Sequence, residues 1–461
     1  MNKFKMIFWS GYMKWIGVMK EKRFNEVQIL SLGFIMLIFT GAVILTLPIS
    51  SASGEPTNFL DALFTATSAT CVTGLITLDT GTHWSLFGQT TIMILIEIGG
   101  LGFMSFGTFF AILLGKKITL KNRLIMQEAM NTFSIQGLVK MVKYVLMFTF
   151  TIQISGALLL SSQLIPEFGF AKGLFYSVFH SISTFCNAGF DLFGNFTSLT
   201  RYYNNPVILL TIGALIVIGG LGFTVLIEIY NYKGMKKLSI HTKVVLLITT
   251  ILIVGGTVFI FLLEYNNPQT LAPMGFRDKV VNSILASISP RTAGVNSIST
   301  DGMTMAGKFL TIILMFIGGS PGSTAGGLKT TTFGILLFTV ISVIRGREDT
   351  EAFGRRFSKE LVYKSFALLF IGMTLIMAVT MILTITEPDQ TFISLLYEAT
   401  SAFGTVGLTT GVTTGLSSIG KFIIIVMMYI GRVGPLTVAI ALSSKQKKSK
   451  YKYPEAKVLI G

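Results

Sequence analysis

Charge is scarce in this chain. Only 13% of its 461 residues are Asp, Glu, Lys or Arg, about half the usual share for a soluble domain, which excludes an ordinary water-soluble globule. Cysteine is scarcer: Cys71 and Cys186 are the whole complement. Two thiols exclude a disulfide framework and a thiolate metal site, and read most plainly as small filler. Three dispersed histidines, His83, His180 and His241, offer no catalytic or metal-binding cluster. Acidic residues number 21 against 37 basic ones, for a net charge of +16. Nucleic-acid binding would need a basic face on a soluble fold, whereas these cations sit between apolar runs.

What the chain has is hydrophobic length. Hydrophobic residues make up 51% of it, and its mean hydropathy is +0.70. Stretches such as 27–47, 207–229, 244–263 and 422–442 carry few or no charges. Each reaches the length needed to cross a hydrocarbon layer of ~30 Å. The first is too long, and too far from the start, for a signal peptide. Basic residues gather at Lys14–Arg23, Lys116–Arg123, Lys233–Lys243, Arg345–Lys359 and Lys445–Lys452. By the positive-inside rule these five segments face the cytoplasm, and with them both termini. Residues 1–24 mix Phe4, Phe8, Trp9 and Trp15 with lysines, which suits an interfacial helix or a disordered leader.

A repeat organises the rest. Four short apolar stretches run into a turn holding one glycine: Thr70-Cys71-Val72-Thr73-Gly74, Phe185-Cys186-Asn187-Ala188-Gly189, Arg291-Thr292-Ala293-Gly294 and Phe403-Gly404-Thr405-Val406-Gly407. The glycines are 115, 105 and 113 residues apart. A fixed period of this kind names the architecture before any single element does. The expected fold is an all-α membrane protein of four repeats around a pseudo-fourfold pore. Each repeat holds a first membrane helix (27–48, 140–162, 243–264, 361–385), a re-entrant pore segment (59–70, 173–185, 278–289, 391–402) and a second helix (89–114, 206–230, 307–344, 420–442). That makes eight transmembrane helices and four re-entrant loops. The segments of about a dozen apolar residues are too short to span. The expected domains are a cytoplasmic N-terminal segment 1–26, repeat 1 at 27–114, a cytoplasmic linker 115–137, repeat 2 at 138–230, repeat 3 at 231–344, repeat 4 at 345–442, and a basic tail 443–461.

The turns have the chemistry of an ion filter. A cation entering a pore loses water and needs replacement oxygens, which rings of backbone carbonyls supply. Aiming successive carbonyls at one axis requires left-handed backbone angles, which glycine adopts at little cost. A helix ending at the filter turns its negative pole to the ion. The candidate ion-binding residues are Thr70, Cys71, Val72, Thr73 and Gly74; Asn187, Ala188 and Gly189; Thr292, Ala293 and Gly294; Thr405, Val406 and Gly407. The second turn lacks the threonine, so the walls are unequal. A single such glycine would be an ordinary helix C-cap; four in phase are not.

The second helices carry their own motif: Gly99-Gly100, Gly219-Gly220, Gly318-Gly319 and Gly431-Arg432, 24 to 30 residues after each turn glycine. Small residues there allow close helix packing. The third copy continues Gly318-Gly319-Ser320-Pro321-Gly322-Ser323-Thr324-Ala325-Gly326-Gly327-Leu328-Lys329. Proline costs a helix about 3 kcal/mol and each glycine about 1 kcal/mol relative to alanine. Irregular backbone at membrane depth survives only against a cavity or packed protein. This segment is the candidate gate, with Lys329 at its end. In the fourth copy Arg432 replaces the second glycine. A charge in the membrane is a functional candidate: Arg432 either forms a barrier and holds the gate, or pairs with Glu97. Glu398 and Arg291 form a second candidate buried pair.

These motifs resemble the membrane subunits of bacterial Ktr potassium uptake systems (the KtrB and KtrD type) in the Trk/Ktr/HKT superfamily. The resemblance rests on the four turns, the Gly-rich segment 318–329 and Gly431-Arg432-Val433-Gly434-Pro435, and covers nearly the whole chain. It implies potassium as the substrate, with uptake stimulated by sodium. It also implies a homodimer in the plasma membrane and a cytosolic nucleotide-binding ring (KtrA or KtrC type) that carries ATP or ADP and controls the gate. By the same analogy the tail lies at the dimer contact, and Gly74, rather than serine, argues for potassium over sodium. No cofactor is expected on this chain. The alternatives are a TrkH-type symporter subunit or an alternating-access carrier. A P-loop ATPase is disfavoured because Leu328 separates Gly327 from Lys329 in the near-match at 322–330.

Overall fold

The computed structural model describes residues 26–102, 138–232 and 238–434. The N-terminal segment, the 115–137 linker, Lys233, Lys236 and Lys237, and the basic tail lie outside the described residues. By the expected division into four repeats, the first comprises α1 (Glu26–Thr46), α2 (Phe59–Cys71) and α3 (Leu86–Leu101). The second comprises α4 (Leu138–Phe168), α5 (Phe170–Phe185), α6 (Pro206–Leu221) and α7 (Phe223–Tyr230). The third comprises α8 (Ile240–Glu264), α9 (Phe276–Ile288), α10 (Met305–Phe316) and α11 (Thr330–Ile344). The fourth comprises α12 (Lys359–Thr386), α13 (Phe392–Gly404), the single turn α14 (Val412–Gly415) and α15 (Ser418–Val433). A small antiparallel hairpin, β1 (Glu351–Ala352) and β2 (Arg355–Arg356), links the last two repeats.

Among the described residues four helices are long and apolar enough to cross a membrane, or five if the bent pair α6–α7 counts as one span. Their outer faces are apolar: Phe370 is 74% exposed and Ile385 80%. The interior mixes apolar side chains with many hydroxyls. Most of α2, α5 and α13 and nearly half of α9 are buried, including Thr67, Ser181, Ser287 and Thr400. A protein that hides hydroxyls and displays phenylalanine is built for a lipid solvent.

Each second helix begins with a capping side chain: Ser85, Asn205, Thr304 and Ser417 accept from the first-turn N–H groups of α3, α6, α10 and α15. In three of them a glycine follows three residues later, because the preceding long helix ends against that turn. A Cβ on Gly88 would strike the Ser50 carbonyl, one on Gly307 the Glu264 carboxylate, and one on Gly420 the Glu387 carboxylate. Glu264 accepts from Thr304 N and Oγ1, and Glu387 from Ser417 N and Oγ. These ties fix the angle at which each repeat folds back on itself.

The repeats pack in a closed cycle. Helix α3 contacts α5 of the next repeat, α6 contacts α9, α10 contacts α13, and α15 returns to α2. The second helices break at glycines along the expected continuous spans, with 103–114 of the first and 435–442 of the fourth outside the described residues. Helix α3 stops at Gly102 (φ 79°), α6 meets α7 at a bend of 99° across Gly222 (φ 91°), and α15 stops at Gly434 (φ 95°). In the third repeat thirteen residues, 317–329, separate α10 from α11. The cause is common to all four: the Gly-Gly motif leads into a residue or segment that leaves right-handed helical geometry.

A ring of glycine turns over an unwound segment

The short helices end where the four turns meet. Gly74, Gly189, Gly294 and Gly407 all have positive φ, of 93°, 70°, 72° and 95°. A Cβ built on Gly74 would lie 3.0 Å from the Gly189 Cα, on Gly189 3.2 Å from Gly294, on Gly294 3.0 Å from Gly407, and on Gly407 2.9 Å from Gly74. The four turns therefore close a ring in chain order, and no side chain fits between neighbours.

Two residues before each glycine the backbone is also left-handed: Val72 (φ 58°), Asn187 (61°), Thr292 (77°) and Thr405 (49°). Such angles are strained for non-glycine residues, β-branched ones above all, and persist only where surroundings impose them. The surroundings here are serines near the helix ends. Thr73 N and Gly74 N donate to the Ser68 carbonyl (2.8 Å) and Oγ (3.0 Å), and Val406 N and Gly407 N to the Ser401 carbonyl (2.9 Å) and Oγ (3.1 Å). Ser183 and Ser289 accept from Ala188 N and Ala293 N, while their hydroxyls donate to the Phe190 and Val295 carbonyls. These bonds draw the turn N–H groups back into the short helices. Asn187, oriented to donate, reaches the carbonyls of Ile216 (3.2 Å) and Thr184 (3.0 Å), so it anchors the wall that lacks a threonine. The hydroxyls of Thr70, Thr73, Thr292 and Thr405 are buried with no hydrogen-bond partner among the described residues, an uncommon state for a buried oxygen. Cys71 is buried and free.

The unwound segment lies against this ring. Thr324 Oγ1 donates to the carbonyls of Phe185 (3.2 Å) and Gly219 (3.1 Å), Ser320 N to Gly220 (3.0 Å), and Phe223 N to Gly322 (2.9 Å). On the opposite side Gly326 leaves room only for the Thr405 side chain. The segment's two ends are clipped together by Gly318 N to Leu328 O (2.9 Å) and Thr330 N to Gly319 O (3.0 Å), and Lys329 Nζ donates to the Ala325 carbonyl at 2.6 Å. Arg432 donates to the carbonyls of Thr324, Gly99 and Gly100.

The expected Arg432–Glu97 pair is not formed. Glu97 instead accepts from Gln153 Nε2 (2.8 Å) and Cys186 Sγ (3.3 Å). The Glu398–Arg291 pair is not formed either: Glu398 is held by Thr409 and Thr413, and Arg291 reaches Thr249 at 3.4 Å. In both cases hydroxyl or amide partners on the same or a neighbouring repeat lie nearer than the opposite charge. The remaining motif glycines are packing devices. A Cβ on Gly99 would strike the Thr70 carbonyl, on Gly219 that of Phe185, and on Gly431 that of Phe403.

On the side away from the unwound segment the ring opens into a cavity of about 900 Å³ lined by all four glycines and by Asp191, Asn296, Ser297 and Thr409. Burial raises the Asp191 carboxyl to about 7; the Phe193 N–H opposes this and Asp79 adds to it. Sequence reasoning passed over the serines and Asp191. The serine signal was present, six residues before the glycine in three turns and five in the other, but serine is too common in short helices to stand out.

Glycine turns closed on one another inside a helical shell with apolar outer faces define a helical membrane protein. The chain belongs to the TrkH family of cation transport proteins, whose family model matches residues 5–452. It is 46% identical over 446 residues to the potassium/sodium uptake protein NtpJ of Enterococcus hirae, covering 96% of this chain and 98% of that one. It is 44% identical over 444 residues to the Ktr system potassium uptake protein B of Bacillus subtilis, with the same coverage. The crystal structure of the potassium transporter TrkH from Vibrio parahaemolyticus matches its fold with a TM-score of 0.71 at 18% identity, over 91% of this chain and 85% of that one.

Proposed function

We propose that the chain is the ion-conducting subunit of a Ktr-type potassium uptake system in the bacterial plasma membrane. Eight spans and four re-entrant loops surround one pore, with the glycine turns outward and both termini cytoplasmic. Potassium sheds water against the carbonyls of the Gly74–Gly189–Gly294–Gly407 ring, and sodium is the second candidate ion. The unwound segment 318–329 is the gate, latched by Arg432. A second copy of the chain, and a cytosolic ring that binds ATP or ADP, complete the system. The observation that carries this reading is the closure of the four turns on one another in chain order. The names of the relatives, with their potassium/sodium and Ktr-system uptake, support the choice of cargo.

The test is rubidium uptake into liposomes holding the purified chain, alone and with a candidate regulatory ring. Uptake displaced by potassium at lower concentration than by sodium, and raised by the ring with nucleotide, is the expected result. Liposomes no more permeable than empty ones in every condition would overturn the reading. The broken helix between α10 and α11 also favours an alternating-access carrier, since carriers bind ions at such breaks. A slow flux with fixed ion stoichiometry, in place of currents from single molecules, would select it.

A further inference from the structure

The positions two beyond the ring glycines are Ile76, Asp191, Asn296 and Thr409. All four line the same cavity, so they form a second ring at its floor, and Asp191 is its one charge. The others are committed or inert. Thr409 Oγ1 donates to Glu398 (2.8 Å), Asn296 Nδ2 donates to the Ile298 carbonyl (3.0 Å), and Ile76 is apolar. Asp191 Oδ1 accepts from Phe193 N at 3.1 Å, while Oδ2 has no donor among the described residues.

The neighbouring charges do not neutralise Asp191. Asp79 is itself acidic, and its oxygens are taken by Thr82 and by Phe196 N. His180 is tied at both ring nitrogens, to the Tyr176 carbonyl and Leu192 N. At the cavity rim Asp301 is paired with Lys308 at 3.2 Å. Tyr203 is the remaining titratable group on the wall. Among the described residues the protein supplies no counter-charge, so the free oxygen of Asp191 is left to the cavity that it lines.

We propose that Asp191 is the cation-collecting residue of this pore: a still-hydrated monovalent cation rests on its free oxygen before entering the glycine ring. This rests on the transport reading above. A carboxylate in a low-dielectric mouth concentrates cations and speeds their capture, while the carbonyl ring below does the selecting. The charge therefore acts on the concentration dependence of uptake and leaves ion preference to the ring. Because the carboxyl titrates near 7, it is charged and effective above that pH and neutral below it.

The experiment is initial rubidium uptake by the full chain in liposomes against external rubidium, at low ionic strength, for wild type, Asp191→Asn and Asp191→Glu. The half-saturating concentration is expected to rise about three- to tenfold in Asp191→Asn. The maximal rate and the potassium-over-sodium ratio are expected to stay put, and Asp191→Glu to remain close to wild type. In wild type the half-saturating concentration is expected to rise as external pH falls from about 8 to about 6, around the carboxyl's pKa of about 7. An unchanged half-saturation in Asp191→Asn, or a flat wild-type pH profile, overturns the proposal. The profile needs no variant, so a misfolded mutant does not shelter it. Absence of any wild-type flux would instead defeat the transport reading.

Discussion

Lys421 and Asp61, 360 residues apart in sequence, meet at 2.6 Å between Nζ and Oδ1. Asp61 lies in the first turn of α2, where a carboxylate also suits the helix's positive pole. Lys421 lies in the first turn of α15. The pair fastens the fourth repeat to the first and completes the cycle. Both side chains are largely buried, at 17% and 18% exposure, so the pair lies between surface bridges worth less than about 1 kcal/mol and buried ones costing about 3–5 kcal/mol to break. A double-mutant cycle of Asp61→Asn and Lys421→Met is expected to give a coupling of about 1–2 kcal/mol, read from thermal unfolding in detergent. Additive losses would show that the cycle closes without it.

Gly74→Ser and Gly407→Ser put a side chain into the carbonyls of Ala188 and Thr73. Each is expected to lower the potassium-over-sodium preference about tenfold or more, since a displaced carbonyl changes the ion's coordination. Competition of sodium and potassium against rubidium uptake measures it. Gly220→Ala is the matched control: its Cβ would sit 3.5 Å from the Asn187 side-chain amide, ordinary contact, and transport should persist.

Ser401→Ala removes the hydroxyl that holds the Gly407 N–H. A buried donor without a partner costs about 1–3 kcal/mol, and the relief available to this turn is to rotate its peptide away from the ring. Weakened ion preference with normal expression is expected in the same competition assay; an unaltered preference would mean that the ring holds its shape unaided.

Arg432→Ala frees the Thr324, Gly99 and Gly100 carbonyls, and deletion of 322–326 removes the middle of the proposed gate segment. Both are expected to raise rubidium flux about fivefold or more, because a charge held at membrane depth and its latch are gone. Flux at or below wild type, with comparable protein in the liposomes, would count against the gate.

The long and short helices were legible because each follows from one property, apolar length, and their observed limits fall close to those expected. The ring glycines were legible because four copies in phase outweigh any local explanation. The ends of the second helices were not: Gly102, Gly222 and Gly434 look like the small packing residues before them, and only their positive φ sets them apart. The left-handed Val72 and Thr405 were invisible for the opposite reason, since β-branched residues ordinarily avoid that region and the serine ties that impose it run between turns of helix. The two expected ion pairs failed because sequence shows charges but not the hydroxyls that reach them first.

In the proposed filter, four turns from one chain jointly replace the water lost by an alkali cation. Diffraction from crystals grown in rubidium, collected at its absorption edge, tests it most directly. The account predicts anomalous density on the axis between Gly74, Gly189, Gly294 and Gly407. Rubidium bound elsewhere in the protein, with the ring empty, would contradict it.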